Sequence, residues 1–297
     1  MAKAEHALRR VLDDHFTAQR RDKTAYALTW VLLLTLLGLM LVPLLFMALA
    51  SFMPTREIFS RPFAWIPHSL YFGNYVTAIR GNHEDYIFLV ALMNSVIVVG
   101  VITLLTVFLA SLTGYSLAKL PFPGRNLVFV LILSSIMLPF ETIMIPLYLV
   151  IRTLNIQNTY MGLIAPFMLT PLGVFLMRQT FIPFPEQILD TARIDGAKEI
   201  AIFSRVVMPN ALPAMAVLGV LTIQQQWDNL IWPLLVVQDR MLETLPLYLV
   251  TFAEERYTDE GALIATAALA SIPLLAMLFF LADHFLKGAH MMSGQKE

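Results

Sequence analysis

The sequence contains no cysteine and little charge. Without cysteine there can be no disulfide, no thiolate nucleophile and no thiolate metal site. Charged residues make up 14% of the 297 residues, where a soluble domain carries about a quarter, and 58% are hydrophobic. The mean hydropathy is +0.71. These values exclude an ordinary soluble domain and imply a membrane protein. The net charge of −1 implies no nucleic acid and no other bulk electrostatic partner. Catalytic signatures are missing as well. No Gly-Lys pair exists to end a phosphate-cradling loop, so ATP is not bound in that way. HExxH and GxSxG are absent, and histidines 6, 15, 68, 83, 284 and 290 have no ligand spacing, so neither catalytic residues nor a metal site is expected.

What is present is a set of six apolar stretches, each long enough to cross a hydrocarbon core, which takes about 20 residues. Positions 24–55, 86–118, 153–177 and 261–282 carry no charge. Positions 126–151 and 206–237 are interrupted by one carboxylate each, Glu141 and Asp228. Ala48-Leu-Ala50 resembles a signal cleavage site, but the apolar run before it exceeds the 7–15 residues of a signal core, so it reads as a retained span.

Lysine and arginine in the loops set orientation. Arg9, Arg10, Arg20, Arg21 and Lys23 precede the first span; Lys119 and Arg125 lie in the second loop, and Arg178, Arg193, Lys198 and Arg205 in or beside the fourth. The fifth loop, 238–260, is acidic. The expected architecture is an all-α membrane protein of six transmembrane helices with both termini cytoplasmic. Its parts are a cytoplasmic segment 1–24 with Leu8, Val11 and Leu12 on one helix face, a membrane domain 25–286, and a tail 287–297.

The fourth loop, about 183–207, is a polar island on the cytoplasmic side. Pro183 and Pro185 suit a helix start, and the acidic Glu186 favours the helix dipole there. A helix from about 185 to 194 would put Ile188, Leu189 and Ala192 on one face, ended by Gly196 in a left-handed conformation. A second short helix, 197–207, would lead to Pro209 and the fifth span. A short charged helix displayed by so apolar a chain implies a docking partner.

Polar groups deep in a span cost roughly 2.5–3.5 kcal/mol on insertion scales and tend to face the bundle interior. Gln224, Gln225, Gln226, Trp227, Asp228 and Asn229 sit near the middle of the fifth span. They suit either a path for a hydroxyl-rich solute or hydrogen bonds between helices. Helical spacing pairs Gln224 with Asp228 and Gln225 with Asn229. Glu141, between Pro139 and Pro146, could lock a proline-broken helix or meet substrate.

Several stretches resemble the permease subunits of carbohydrate-type ABC importers, the maltose-permease-like six-helix class. They are Asn94-Ser-Val-Ile-Val, Gly114-Tyr-Ser-Leu-Ala-Lys with Phe122-Pro-Gly-Arg125, Met137-Leu-Pro-Phe-Glu-Thr-Ile-Met-Ile-Pro146-Leu-Tyr, and Asn158-Thr-Tyr-Met-Gly-Leu. The signature EAA loop corresponds to Leu189-Asp-Thr-Ala-Arg-Ile-Asp-Gly-Ala197, running on to Met208-Pro209. Trp227-Asp-Asn-Leu-Ile-Trp-Pro233 follows, where the family reads Trp-Asn-Asp. The family's Glu-Ala-Ala is Asp190-Thr191-Ala192 here, and its Gly-Ala-Val-Lys-Gly ending is replaced by Lys287-Gly-Ala-His-Met-Met-Ser.

The resemblance implies that the EAA helix couples to a separate ATPase dimer, through Glu186, Leu189, Asp190, Thr191, Ala192, Asp195, Gly196 and Ala197. It also implies a homologous second permease chain and an extracytoplasmic solute-binding protein. Surrounding lipid completes the setting, a bacterial or archaeal cytoplasmic membrane. No cofactor belongs to this chain; ATP and Mg would sit on the partner ATPase. Import of a sugar or oligosaccharide is the expected function, with a polyol or glycerol-phosphate compound as the alternative substrate. A proton-coupled carrier working through Glu141 or Asp228 is the rival class, and it leaves the EAA loop without a purpose.

Overall fold

The computed structural model describes residues 2–62, 64–81, 86–255 and 259–293, with side chains described for those that lie between 26 and 277. Among them there are helices and no strand. Helix α1 runs from Ala2 to Ala50, so the expected boundary at residue 24 falls inside one helix. The amphipathic face proposed for 1–24 concerns side chains outside those described, as does the tail from residue 287.

Three helices are long and apolar enough to span a membrane unaided: α1 over Tyr26–Ala50, α4 over Ile87–Lys119, and α15 (Glu260–Ser293) over Glu260–Met277. Helices α2 (Thr55–Ile58) and α3 (Gly73–Arg80) lie between the first two. The other three expected spans are broken. Helix α5 (Arg125–Ile136) meets α6 (Phe140–Thr153) at 104°. Helix α7 (Tyr160–Ile164), extended by a 3-10 turn to Phe167, meets α8 (Pro171–Phe181) at 46°.

The fifth is more divided still. Helix α10 (Glu199–Ile202) continues through a π-turn, Phe203–Val207, into α11 (Met208–Asn210), and this unit bends 79° into α12 (Leu212–Trp227). After a break at 228–230 comes α13 (Ile231–Val236). Proline supplies the local cause of the breaks: Pro139, Pro171, Pro209 and Pro213 each withhold an N–H and favour a helix start over its continuation. The break expected between Pro139 and Pro146 thus falls just before α6, and the continuous helix expected over 206–237 is not formed.

Helix α4 is the hub. Its middle and ends are buried on several sides, from Asn94 and Ser95 through Thr106 and Ala110 to Tyr115 and Lys119. Small residues bring α8 close to it: Gly173 faces the Ala110 methyl, and Gly114 faces the backbone of Met177 and Arg178. One apolar core joins α4 to α8 and α12 near Lys119, with Leu189, Ile202 and Phe203 filling it from below. A second gathers Phe88, Trp227, Tyr248 and Phe252 at the opposite end of α4. A third surrounds Trp232, whose Nε1 donates to Gly162 O at 3.0 Å. Side chains of α1 stand largely exposed, Leu28 at 69% and Leu39 at 70%, as expected of a helix that meets lipid or another chain.

Candidate functional site: the short polar helix and the end of α12

Helix α9 forms at Glu186–Ile194, one residue later than the sequence expectation at its start. Pro185 precedes it in extended conformation, and Glu186 lies in its first turn. Asp195 closes it and Gly196 follows at φ +79°. The Gly196 amide donates to Arg193 O and the Ala197 amide to Ala192 O, both at 3.0 Å. This pair of bonds is a Schellman cap, which needs the left-handed residue that glycine supplies.

The faces of α9 divide differently from the expectation. Leu189 is fully buried and Ala192 half-buried, but Ile188 is 47% exposed and lies on the outer side. Residues 188 and 189 both lie within about 60° of 192, so helical pitch does not choose between them; the core takes Leu189 and leaves Ile188 outside. At the end of α9 and just beyond it, Ile194 and Ile200 are 86% and 77% exposed. Together with exposed Asp190, Thr191, Asp195, Gly196 and Ala197 they make an outward face with apolar side chains between polar ones.

Thr191 spends its hydroxyl on Gln187 O at 2.8 Å. Asp190 Oδ1 accepts from Arg193 Nη1 at 2.9 Å, and Arg193 Nε donates to Glu199 Oε1 at 2.8 Å. The bond from Glu199, reinforced by that from Asp190, raises the guanidinium pKa above its already high ordinary value, so Arg193 stays charged. Glu199 Oε2 accepts from the Tyr115 hydroxyl at 2.7 Å. Glu186 Oε1 accepts from Lys119 Nζ at 2.9 Å, and the same ammonium donates to Ile182 O at 3.1 Å and Phe184 O at 2.7 Å. Sequence reasoning did not single out Glu199, quoted Tyr115 only within a motif, and used Lys119 and Arg193 only for orientation and as parts of quoted motifs. The available signal was spacing: Tyr115 and Lys119 are four apart and share a face at the end of α4. The second helix is also shorter than expected, with α10 at Glu199–Ile202 and a π-turn in place of the rest.

The polar run of the fifth span lies at the end of α12. Because the helix stops at Trp227 and Asp228 is its cap (φ −90°, ψ 5°), the expected i,i+4 pairing of Gln224 with Asp228 on a continuous helix does not form. Gln224, Gln225 and Asp228 are exposed in this chain. Gln226 is buried and Asn229 half-buried; Asn229 Nδ2 donates to Gln226 Oε1 at 3.1 Å, and its Oδ1 accepts from the Trp232 amide at 3.4 Å. Trp227 packs into the second core at 8% exposure. A cavity of about 10 Å³ remains beside the break, between Ser95, Gln226, Asn229, Trp232 and Thr244. That is room for one water and none for a sugar. Glu141 stands exposed in the first turn of α6, directly after the 104° bend, and its carboxylate has no partner among the described residues. No hydrogen bond from it locks the bend, and in the first turn it favours the α6 dipole.

Two asparagines from the quoted motifs tie the 238–243 loop to α4 and to the segment before α7. Asn94 Nδ2 donates to Met241 O and Glu243 O, each at 2.9 Å. Asn158 Oδ1 accepts from the amides of Gln238 and Asp239, each at 2.9 Å. No group of three or more metal-ligating side chains occurs among the described residues.

Residues 107–290 match the family described as binding-protein-dependent transport system inner membrane component. The arabinooligosaccharides transport system permease protein AraQ of Halalkalibacterium halodurans is 32% identical, over 90% of this chain and 97% of that protein. The sn-glycerol-3-phosphate transport system permease protein UgpE of Pectobacterium atrosepticum is 30% identical, over 84% and 90% respectively. The fold matches a chain of a bacterial ABC transporter involved in the import of the acidic polysaccharide alginate, with a TM-score of 0.77 at 20% identity, over 89% of this chain and 98% of the other.

Proposed function

The chain belongs to the family of binding-protein-dependent transport system inner membrane components, and from that premise we propose that it is the permease subunit of an ABC importer for a sugar or oligosaccharide. It crosses the cytoplasmic membrane six times, through α1, α4, α15 and the three broken pairs, with both termini in the cytoplasm. A separate ATPase dimer, holding ATP and Mg, docks on the face of α9 that presents Ile188, Asp190 and Ile194. A homologous second permease and an extracytoplasmic binding protein complete the assembly. The single observation that carries this reading is α9 itself, a short capped helix seated by Leu189 in the core and exposing Ile194 at 86% between two apolar segments.

Substrate class follows from charge. The ionisable side chains at the breaks after α5 and α12 are the carboxylates Glu141 and Asp228. The cations closest to the α4–α8 seam are occupied: Lys119 has three acceptors, and Arg178 lies over the Phe129 ring at 3.9 Å with Nε on Leu117 O. An anion would meet repulsion at both breaks, so a neutral saccharide fits this chain better than glycerol phosphate. Competition decides it. With the matching binding protein, uptake should be displaced by neutral oligosaccharides and not by glycerol 3-phosphate or uronates; the reverse order would transfer the substrate to the anionic class.

A further inference from the structure

Both ends of α9 are fastened to one face of one helix, α4. At the N-terminal end, Lys119 Nζ is saturated by three acceptors: the carbonyls of Ile182 and Phe184, just past the end of α8, and the Glu186 carboxylate. An ammonium placed between the negative end of one helix and the acidic first turn of the next holds the corner between them. At the C-terminal end, Tyr115 reaches α9 through Glu199 and Arg193 by bonds of 2.7 and 2.8 Å. Between these points Leu189 is fully buried in the core that contains Tyr115, Leu117, Phe181 and Phe203. Tyr115 and Lys119 are themselves 2% and 8% exposed.

The route from α9 toward α12 is built otherwise. It passes a π-turn at Phe203–Val207 and a 79° bend after Asn210, features that mark local irregularity rather than a stiff rod. Helix α4 is meanwhile locked to α8 at Gly114, where no side chain separates the backbones.

We propose that Tyr115 and Lys119 are positioning residues that clamp α9 to α4, so that displacement of α9 is delivered to the α4–α8 pair, while α12 follows by flexing at residues 208–212. The inference rests on the importer reading, since it assigns a direction to a push that only a docked motor provides. Neither residue lies on the docking face; they decide where the push goes.

The test uses the whole complex in liposomes, with substrate imported per ATP hydrolysed as the readout. Lys119→Met should lower this ratio about tenfold, the scale of losing a charge-assisted bond, and Tyr115→Phe about threefold, with hydrolysis continuing. Thr106→Val, which removes an equally buried α4 bond (to Phe167 O, 2.9 Å) outside the clamp, should leave the ratio unchanged. Amide exchange on α9 in the same preparations should quicken in the two clamp variants alone. Wild-type ratios in Tyr115→Phe and Lys119→Met, or an equal fall in Thr106→Val, would overturn the clamp. Should Lys119→Met fail to assemble, Tyr115→Phe decides, because it keeps the packed ring and loses only the hydroxyl. Failure of the importer reading would appear separately, as a wild-type complex that imports nothing with ATP.

Discussion

Gly114 of α4 rests directly against Arg178 of α8: a β-carbon at Gly114 would stand 2.8 Å from the Arg178 backbone nitrogen and 2.8 Å from the Met177 β-carbon. Backbone cannot move aside as a side-chain tip can. Gly114→Ala should therefore part the two helices and cost about 1–3 kcal/mol, the usual range for overpacking. Thermal unfolding of the detergent-solubilised complex would register it as a lowered midpoint. Gly219→Ala is the control, since its nearest neighbours lie at 3.7 Å and beyond.

Gly196 presents the opposite case. Nothing lies within 4 Å of a β-carbon there, yet φ is +79°. The penalty for a side chain is then one of backbone conformation alone, about 1–2 kcal/mol, and asparagine should suffer less of it. Gly196→Val should fray the cap and speed exchange of the Ala197 amide, with transport reduced; Gly196→Asn should stay near wild type. Equal behaviour of the two variants would deny the cap any part in transport.

The helices themselves were legible in the sequence; their bend angles and their tertiary partners were not. Charge-free runs located α1, α4 and α15 because length and apolarity suffice for an unbroken span. Hydropathy averages over a window and cannot see a bend, so the end of α12 at Trp227 was hidden, while Pro139 and Pro213 pointed to breaks before α6 and α12 without giving their angles of 104° and 79°. Helix α9 with its Gly196 cap was readable because capping is local. Lys119 and Tyr115 were not, because their acceptors at Ile182, Phe184 and Glu199 lie 63 to 84 residues away. Ile188 was placed on the wrong side because adjacent apolar residues do not say which of them faces the core.

The polar run allows a direct accessibility test. With no native cysteine, single replacements supply unique thiols. Cysteine at 224, 225 or 228 should react with a small charged thiol reagent, and cysteine at 226 or 227 should resist it, following exposure in this chain. Substrate turnover should alter reactivity at 224, 225 or 228 if the path runs there. Inertness at all three would place them against the partner permease and the path elsewhere.

Glu243, in the loop between Arg240–Leu242 and α14 (Leu245–Glu255), is 7% exposed, and burial raises its pKa above the ordinary value of 4.5 against the bond from Thr251 and the charge of Arg240. A raised acid favours the folded form while protonated. Its contribution is complete below the ordinary value and is lost as pH climbs through the folded one. Glu243→Gln should abolish that slope: between about pH 4 and pH 8, exchange protection of α14 should fall in the wild type and stay level in the variant. A wild-type profile that rises with pH would contradict the burial argument.

The central claim is that a separate ATPase drives this chain. The most direct measurement is uptake into liposomes holding the chain with its partner permease and ATPase, binding protein and substrate outside, and either ATP or an imposed pH gradient as the energy source. The expected result is accumulation with ATP enclosed on the α9 side and none with the gradient alone. Accumulation driven by the gradient without ATP would contradict it and point to Glu141 or Asp228 as a proton site instead.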